Sequence, residues 1–179
     1  MKFLIVVLIQ LVFITNISFA QQAKYQTFKA KMTVVGEKDG EQQQWNNNDI
    51  TVALDYESGN FISRLKNTDF LNKETYNTLQ NEENDERELK LTGTFPIERI
   101  IDQKPINATY NVEMQLTTPE DTFILNFNVE VTKPGEGQKG YRIFLVRGIL
   151  YNDETNFEAF VGYENEISII LAFNAFWNN

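Results

Sequence analysis

The side chains most often put to chemical work are missing from this chain, which contains no histidine and no cysteine. Without histidine there is no Ser-His-Asp or Cys-His relay, no His-ligated metal or haem, and no ordinary general base near neutrality. Without cysteine, thiolate nucleophiles, Cys-ligated metals and a disulfide framework go too. Carboxylates remain, and a glycosidase-type pair is the chemistry they could do. Glu98, Asp102 and Glu130 are the candidates, but no spacing selects two of them. A solvated carboxylate is the default for such residues. Gly135-Glu136-Gly137 lacks the further glycine and the helix of a dinucleotide loop. Glu82-Glu83-Asn84-Asp85-Glu86 lacks the glycine and the alternating oxygen ligands of a calcium loop. The sequence predicts no catalytic residue, no metal and no cofactor.

What the chain does carry is period-2 alternation, the mark of strands with one buried face. Phe28, Ala30, Met32 and Val34 alternate with polar neighbours, as do Ile50, Val52, Leu54 and Tyr56. Glu57-Ser58-Gly59-Asn60 reads as a tight turn, and Phe61–Lys66 as the returning arm of that hairpin. Ile106–Leu116 and Phe123–Val131 alternate most cleanly, with Thr118-Pro119-Glu120-Asp121 between them. Leu89–Ile101, Tyr141–Tyr151 and Glu166–Phe176 complete the predicted strands, and Pro134–Gly137 makes a further turn. The polar stretch Gly40–Asn48 reads as a loop in which Trp45 is a packing residue. Asn72–Arg87 reads as a long loop holding one short helix, with Tyr76 and Leu79 spaced at i, i+3. Short strands joined by turn chemistry, with no alternating long helices, predict an all-β, antiparallel domain.

The large apolar residues on these alternating faces are the candidate ligand-binding set: Phe28, Met32, Tyr110, Met114, Phe123 and Phe127. In a small barrel such residues either plug the centre or line a tunnel for one elongated apolar ligand. Both readings stay open at this point. Two strands are apolar on both sides: Ile143 and Leu145 oppose Phe144 and Val146, and Ile169 and Leu171 oppose Ile170 and Ala172. Such strands are covered by another part of the chain or by a partner. If Val146 faces outward, a second copy or an envelope protein is the occupant to test there.

The N-terminus carries an export signal. Lys2 precedes an apolar run over Phe3–Ile14, and Ser18-Phe19-Ala20 matches a small-x-small cleavage site. The run is short for a membrane span, which needs about 20 residues. The expectation is a signal peptide over residues 1–20, cleavage at Ala20-Gln21, and one mature domain over 21–179, delivered to the periplasm or secreted. The absence of cysteine excludes a lipoprotein anchor. The formal charge of −9, one unit more negative once Lys2 leaves, disfavours nucleic acid and anionic membranes as partners.

The order of elements resembles the YceI-like family of exported bacterial proteins, which have a lipocalin-like barrel. Asn48–Phe61 is similar to the family's early hairpin, with Thr68-Asp69-Phe70 in place of its "Ser-Phe" strand end. Asn72–Arg87 stands where the family has a helical stretch, followed by Leu89–Phe95, the central hairpin near Ile106–Val131 and a terminal strand like Glu166–Leu171. The family's His-Gly-Val-Thr turn and the His-Phe pair of its helical stretch are absent; Thr117–Asp121 occupies the turn position. The resemblance implies a single lipocalin-like barrel that binds a lipid or isoprenoid chain without catalysis. The alternative is a structural or protein-interaction module of the cell envelope with a plugged barrel.

Overall fold

The computed structural model describes residues 25–71, 88–102, 107–132, 141–155 and 157–176, and in it the alternating segments pair into a closed barrel. Eight antiparallel strands run β1 (Tyr25–Lys38), β2 (Glu41–Asp55), β3 (Asn60–Lys66), β4 (Glu88–Thr94), β5 (Asn107–Thr117), β6 (Thr122–Thr132), β7 (Tyr141–Tyr151) and β8 (Glu166–Phe176). Each strand pairs with its neighbour in sequence, and β1 closes on β8 from Ala30↔Phe173 to Val35↔Ser168. This is the antiparallel architecture that the alternation predicts, closed into the lipocalin-like barrel that the resemblance implies. Closure leaves no strand of the barrel without a neighbour on either side. Among the described residues, two short helices, α1 (Ile97–Asp102) and α2 (Asn152–Thr155), and two 3-10 turns, Asn67–Phe70 and Glu158–Phe160, lie between strands. Among the described residues no helix is long and apolar enough to cross a membrane.

The strands place these elements at two ends. The α1 end holds the start of β1, the β2–β3 turn, α1 and the end of β8. The α2 end holds the β1–β2 turn, both 3-10 turns, the β5–β6 turn and α2. Side chains of one parity fill the interior along the whole length, from Phe28 and Phe173 to Phe160, with Ser63 and Thr155 as the buried polar residues. Ser63 Oγ donates to the Thr51 carbonyl at 3.2 Å, and Thr155 Oγ1 to the Tyr151 carbonyl at 2.9 Å, so neither hydroxyl is left unpaired.

Three sequence expectations change. Glu41–Asn48 is strand, not loop: Asp39 (φ 55°) and Gly40 (φ 78°) make a two-residue hairpin turn, and thirteen residue pairs join β1 to β2. A bulge hides the pattern. The register slips between Ala30↔Ile50 and Met32↔Asn47, so the inward set passes from Ile50, Val52 and Leu54 to Asn47, Trp45 and Gln43. Leu89–Ile101 is not one strand: β4 stops at Thr94, and residues 97–102 turn into α1 directly after Pro96. Proline has no N–H to extend the ladder and suits a helix start, and the Ile100 N–H donates to its carbonyl at 3.0 Å. Val146, taken as outward, is fully buried in the barrel; Ile143, Leu145 and Ile149 face out instead. The signal peptide over 1–20, the helix within Asn72–Arg87 and the turn at Pro134–Gly137 lie outside the described residues.

Candidate functional site

The six residues singled out from the sequence spread along the inner wall. Met32, Met114 and Phe127 are packed at mid-barrel, Phe28 and Tyr110 lie toward the α1 end, and half-buried Phe123 lies at the α2 end. All six belong to or pack against the one hydrophobic core, at different levels of the barrel. Phe127 is held across its neighbour strand, where Phe127 pairs with Gly148. A Cβ on Gly148 would stand 2.4 Å from the Phe127 ring, so only glycine lets the ring lie flat on β7. Gly93 does the same for Met114, whose Cγ would be 2.9 Å from an added Cβ. The middle of the barrel is therefore filled.

The α1 half is built differently, and of the six residues only Phe28 belongs to its central feature. Phe28, Phe61, Phe95, Phe144 and Phe173 form a continuous set of stacked rings. Phe144 and Phe173 lie 5.0 Å apart at 5°, and Phe61 and Phe95 are 4.9 Å apart at 14°. Phe173 also meets Phe28 at 6.0 Å and Phe61 at 5.9 Å, and Phe95 meets Phe144 at 5.9 Å. The signal existed in part: Phe144 and Phe173 have the inward parity of Val146 and Leu171. Phe95 shares the parity of Leu89 and Leu91 within the predicted Leu89–Ile101 strand, but it lies just past the end of β4. It is held because the Phe95 N–H donates to the Gly59 carbonyl at 2.8 Å, while Gly59 takes φ +74°.

Beside this column the barrel wall parts. β5 pairs with β6 along all eleven residues, but with β4 only from Lys90↔Thr117 to Gly93↔Met114. Beyond that point lies a groove of about 840 Å³. Asn60, Thr94, Thr109, Asn111 and Glu113 give it polar walls, and Phe61, Phe95, Tyr110 and Val112 line it from the barrel side. Arg99 of α1 stands at its rim with the guanidinium 5.6 Å from the centre of the Tyr110 ring. Burial pushes the Tyr110 phenol above its ordinary pKa, and the positive charge of Arg99 partly offsets that. Among the described residues, no group of three or more acidic side chains is arranged to hold a metal ion.

The α2 end is closed by a second aromatic group. Phe70 meets Phe157 and Phe160 at 5.9 and 6.0 Å, Phe160 meets Tyr163 at 6.3 Å, and Tyr163 meets Trp45 at 5.7 Å. Trp45 is the packing residue expected of it, and its Nε1–H donates to the Phe70 carbonyl at 2.9 Å. Asn152 Nδ2 donates to the carbonyls of Phe160 and Tyr163, and the Tyr163 hydroxyl pairs with Gln43 Oε1 at 2.8 Å.

This architecture has a precedent among solved structures. A polyisoprenoid-binding domain from Saccharophagus degradans, implicated in plant cell wall breakdown, superposes with a TM-score of 0.66 at 6% identity, covering 88% of this chain and all of that one. The likeness shows the fold, a closed eight-stranded lipocalin-like barrel. BcnA from Burkholderia cenocepacia is similar over 82% of this chain and 96% of its own, at 11% identity and a TM-score of 0.48. No family model matches the sequence. No curated protein matches it either. The barrel is thus shared with a solved structure whose sequence is only 6% identical.

Proposed function

We propose that this is an exported, non-enzymatic binding protein that takes a long apolar ligand, a lipid or isoprenoid chain, into the α1 half of its barrel. The observation that carries the reading is the phenylalanine column. Its five rings are buried and held mostly by stacking, with no charged side chain among them. Each aromatic contact is worth about 0.5–1.5 kcal/mol beyond area burial. A ligand gains roughly 0.8 kcal/mol for each methylene it buries. A chain can therefore exchange with rings without breaking directional bonds. The structural neighbour described as polyisoprenoid-binding supports a ligand of this class.

Export rests on the sequence: a signal peptide over residues 1–20 and cleavage at Ala20-Gln21 would deliver the domain over 21–179 to the periplasm or the medium. Mass spectrometry of the exported form should find Gln21, or its pyroglutamate, at the N-terminus; an intact leader in that fraction refutes export with processing. For the ligand, native mass spectrometry and organic extraction of protein from its own host should release an apolar molecule of defined mass. A folded protein that releases nothing and takes up no added isoprenoid refutes the carrier reading.

A second reading has its own observation. On the outer wall Ile143 and Ile149 are exposed, at 37% and 39%, beside half-buried Leu145, Ile170 and Ala172. An envelope-protein partner or a second copy would cover this face in an interaction module. Leu145→Glu, in place of a change at buried Val146, should then break self-association or capture of the partner; a protein that neither self-associates nor captures an envelope protein refutes it.

A further inference from the structure

We infer that the parted seam between β4 and β5 is the side mouth through which the ligand reaches the phenylalanine column, and that it suits a single-chain amphiphile whose hydrogen-bonding head stays in the groove. The inference rests on the carrier reading above and adds the route and the head. Three observations converge on it. First, the α2 end is shut by aromatic contacts and by hydrogen bonds from Trp45, Asn152 and Tyr163, so a ligand entering there must break directional bonds. Second, Phe61 and Phe95 belong both to the column and to the lining of the groove, so the groove abuts the volume that a chain would occupy. Third, the walls nearest solvent are carboxamides and hydroxyls, from Asn60, Asn111, Thr94 and Thr109. Such groups both donate and accept, and they suit a polar head while the apolar chain lies deeper. Arg99 and Glu113 contribute one charge of each sign, so the groove carries no net charge of its own and favours an uncharged head over an ion.

The chain has no native cysteine, which makes the route testable by blocking it. Continuing the register past Gly93↔Met114 sets Thr94 opposite Glu113. The Thr94→Cys/Glu113→Cys protein, joined by a short disulfide-containing cross-linker, should take up all-trans-retinol at least tenfold more slowly than wild type, and reduction should restore the rate. Asn111→Cys carrying a bulky maleimide should show the same block. The same label on Ile124→Cys, on the exposed outer wall of β6, should not. Retinol should also bind at least fivefold more tightly than its deoxy hydrocarbon counterpart. Uptake that ignores the cross-link and the label at position 111 overturns the side mouth while leaving the carrier reading intact. Equal affinity for the two probes overturns the head site. Wild-type protein that takes up neither probe and yields no extracted lipid overturns the carrier reading, and this inference with it.

Discussion

The two ends of the barrel are both closed by aromatic rings, yet they are closed in different ways. At the α2 end Phe160 meets Phe70 and Tyr163 edge-on, and the group is pinned by hydrogen bonds: Trp45 to the Phe70 carbonyl, Asn152 to the Phe160 and Tyr163 carbonyls, and Tyr163 to Gln43. At the α1 end the rings lie nearly parallel in a column, and the nearby Tyr110 hydroxyl reaches the Arg99 carbonyl only at 3.5 Å. Directional bonds specify one arrangement, whereas stacking and burial tolerate exchange of one apolar group for another. One end is built as a floor. The other is built as replaceable filling.

The largest effects should come from removing one ring at each end. Phe160→Ala and Phe144→Ala should each cost roughly 3–5 kcal/mol of unfolding free energy in denaturant titrations. Saturating retinol should recover part of the loss for Phe144→Ala, because ligand bound only by the folded state stabilises it. It should recover nothing beyond the wild-type shift for Phe160→Ala. Equal recovery at both ends would erase the distinction drawn between them.

A smaller loss is expected where the α1 end is tied to its turn. Gly59→Ala should cost about 2 kcal/mol or more, since the position has φ +74° and an added Cβ would lie 2.1 Å from the Phe95 carbonyl oxygen. The displaced Phe95 should also change retinol affinity, which fluorescence titration reads directly. Trp45→Phe at the opposite end should cost about 1 kcal/mol, the net worth of one hydrogen bond, and leave retinol affinity unchanged.

The smallest effect concerns pH. Burial raises the phenol pKa of Tyr56 far above its ordinary value of 10.0, and that of Tyr110 less far. A raised phenol pKa means that the unfolded chain loses its proton first. The stabilisation is complete below pH 10.0 and is lost as pH rises from there through the folded-state values. Tyr56→Phe should flatten the fall in unfolding free energy above pH 10.0 and change little at pH 7. An unchanged alkaline slope would remove Tyr56 from that account.

Much of the fold was legible because strand alternation is a local property. The inward parity of Ile50–Leu54, Tyr110–Leu116 and Leu125–Val131 follows from residue type alone and holds in the barrel. The run at Glu41–Asn48 was not legible, because one bulge shifts the inward parity and leaves Asn47, Trp45 and Gln43 on the inner side. The sign of the doubly apolar β7 was also hidden: with Ile143 and Leu145 as greasy as Phe144 and Val146, only packing chooses which set faces in.

By itself the sequence determined what chemistry is closed to this protein, since missing histidine and cysteine are facts of composition that no fold can repair. It also determined the number and direction of most strands, because a period of two and a glycine turn act over neighbouring residues. Only the tertiary structure decided that Phe28, Phe61, Phe95, Phe144 and Phe173, scattered from position 28 to 173, form one column. It alone decided that β4 and β5 part company beyond Gly93 and Met114. Both depend on barrel closure and on where Pro96 turns the chain out of β4. Those are relations between distant segments, and no local pattern encodes them.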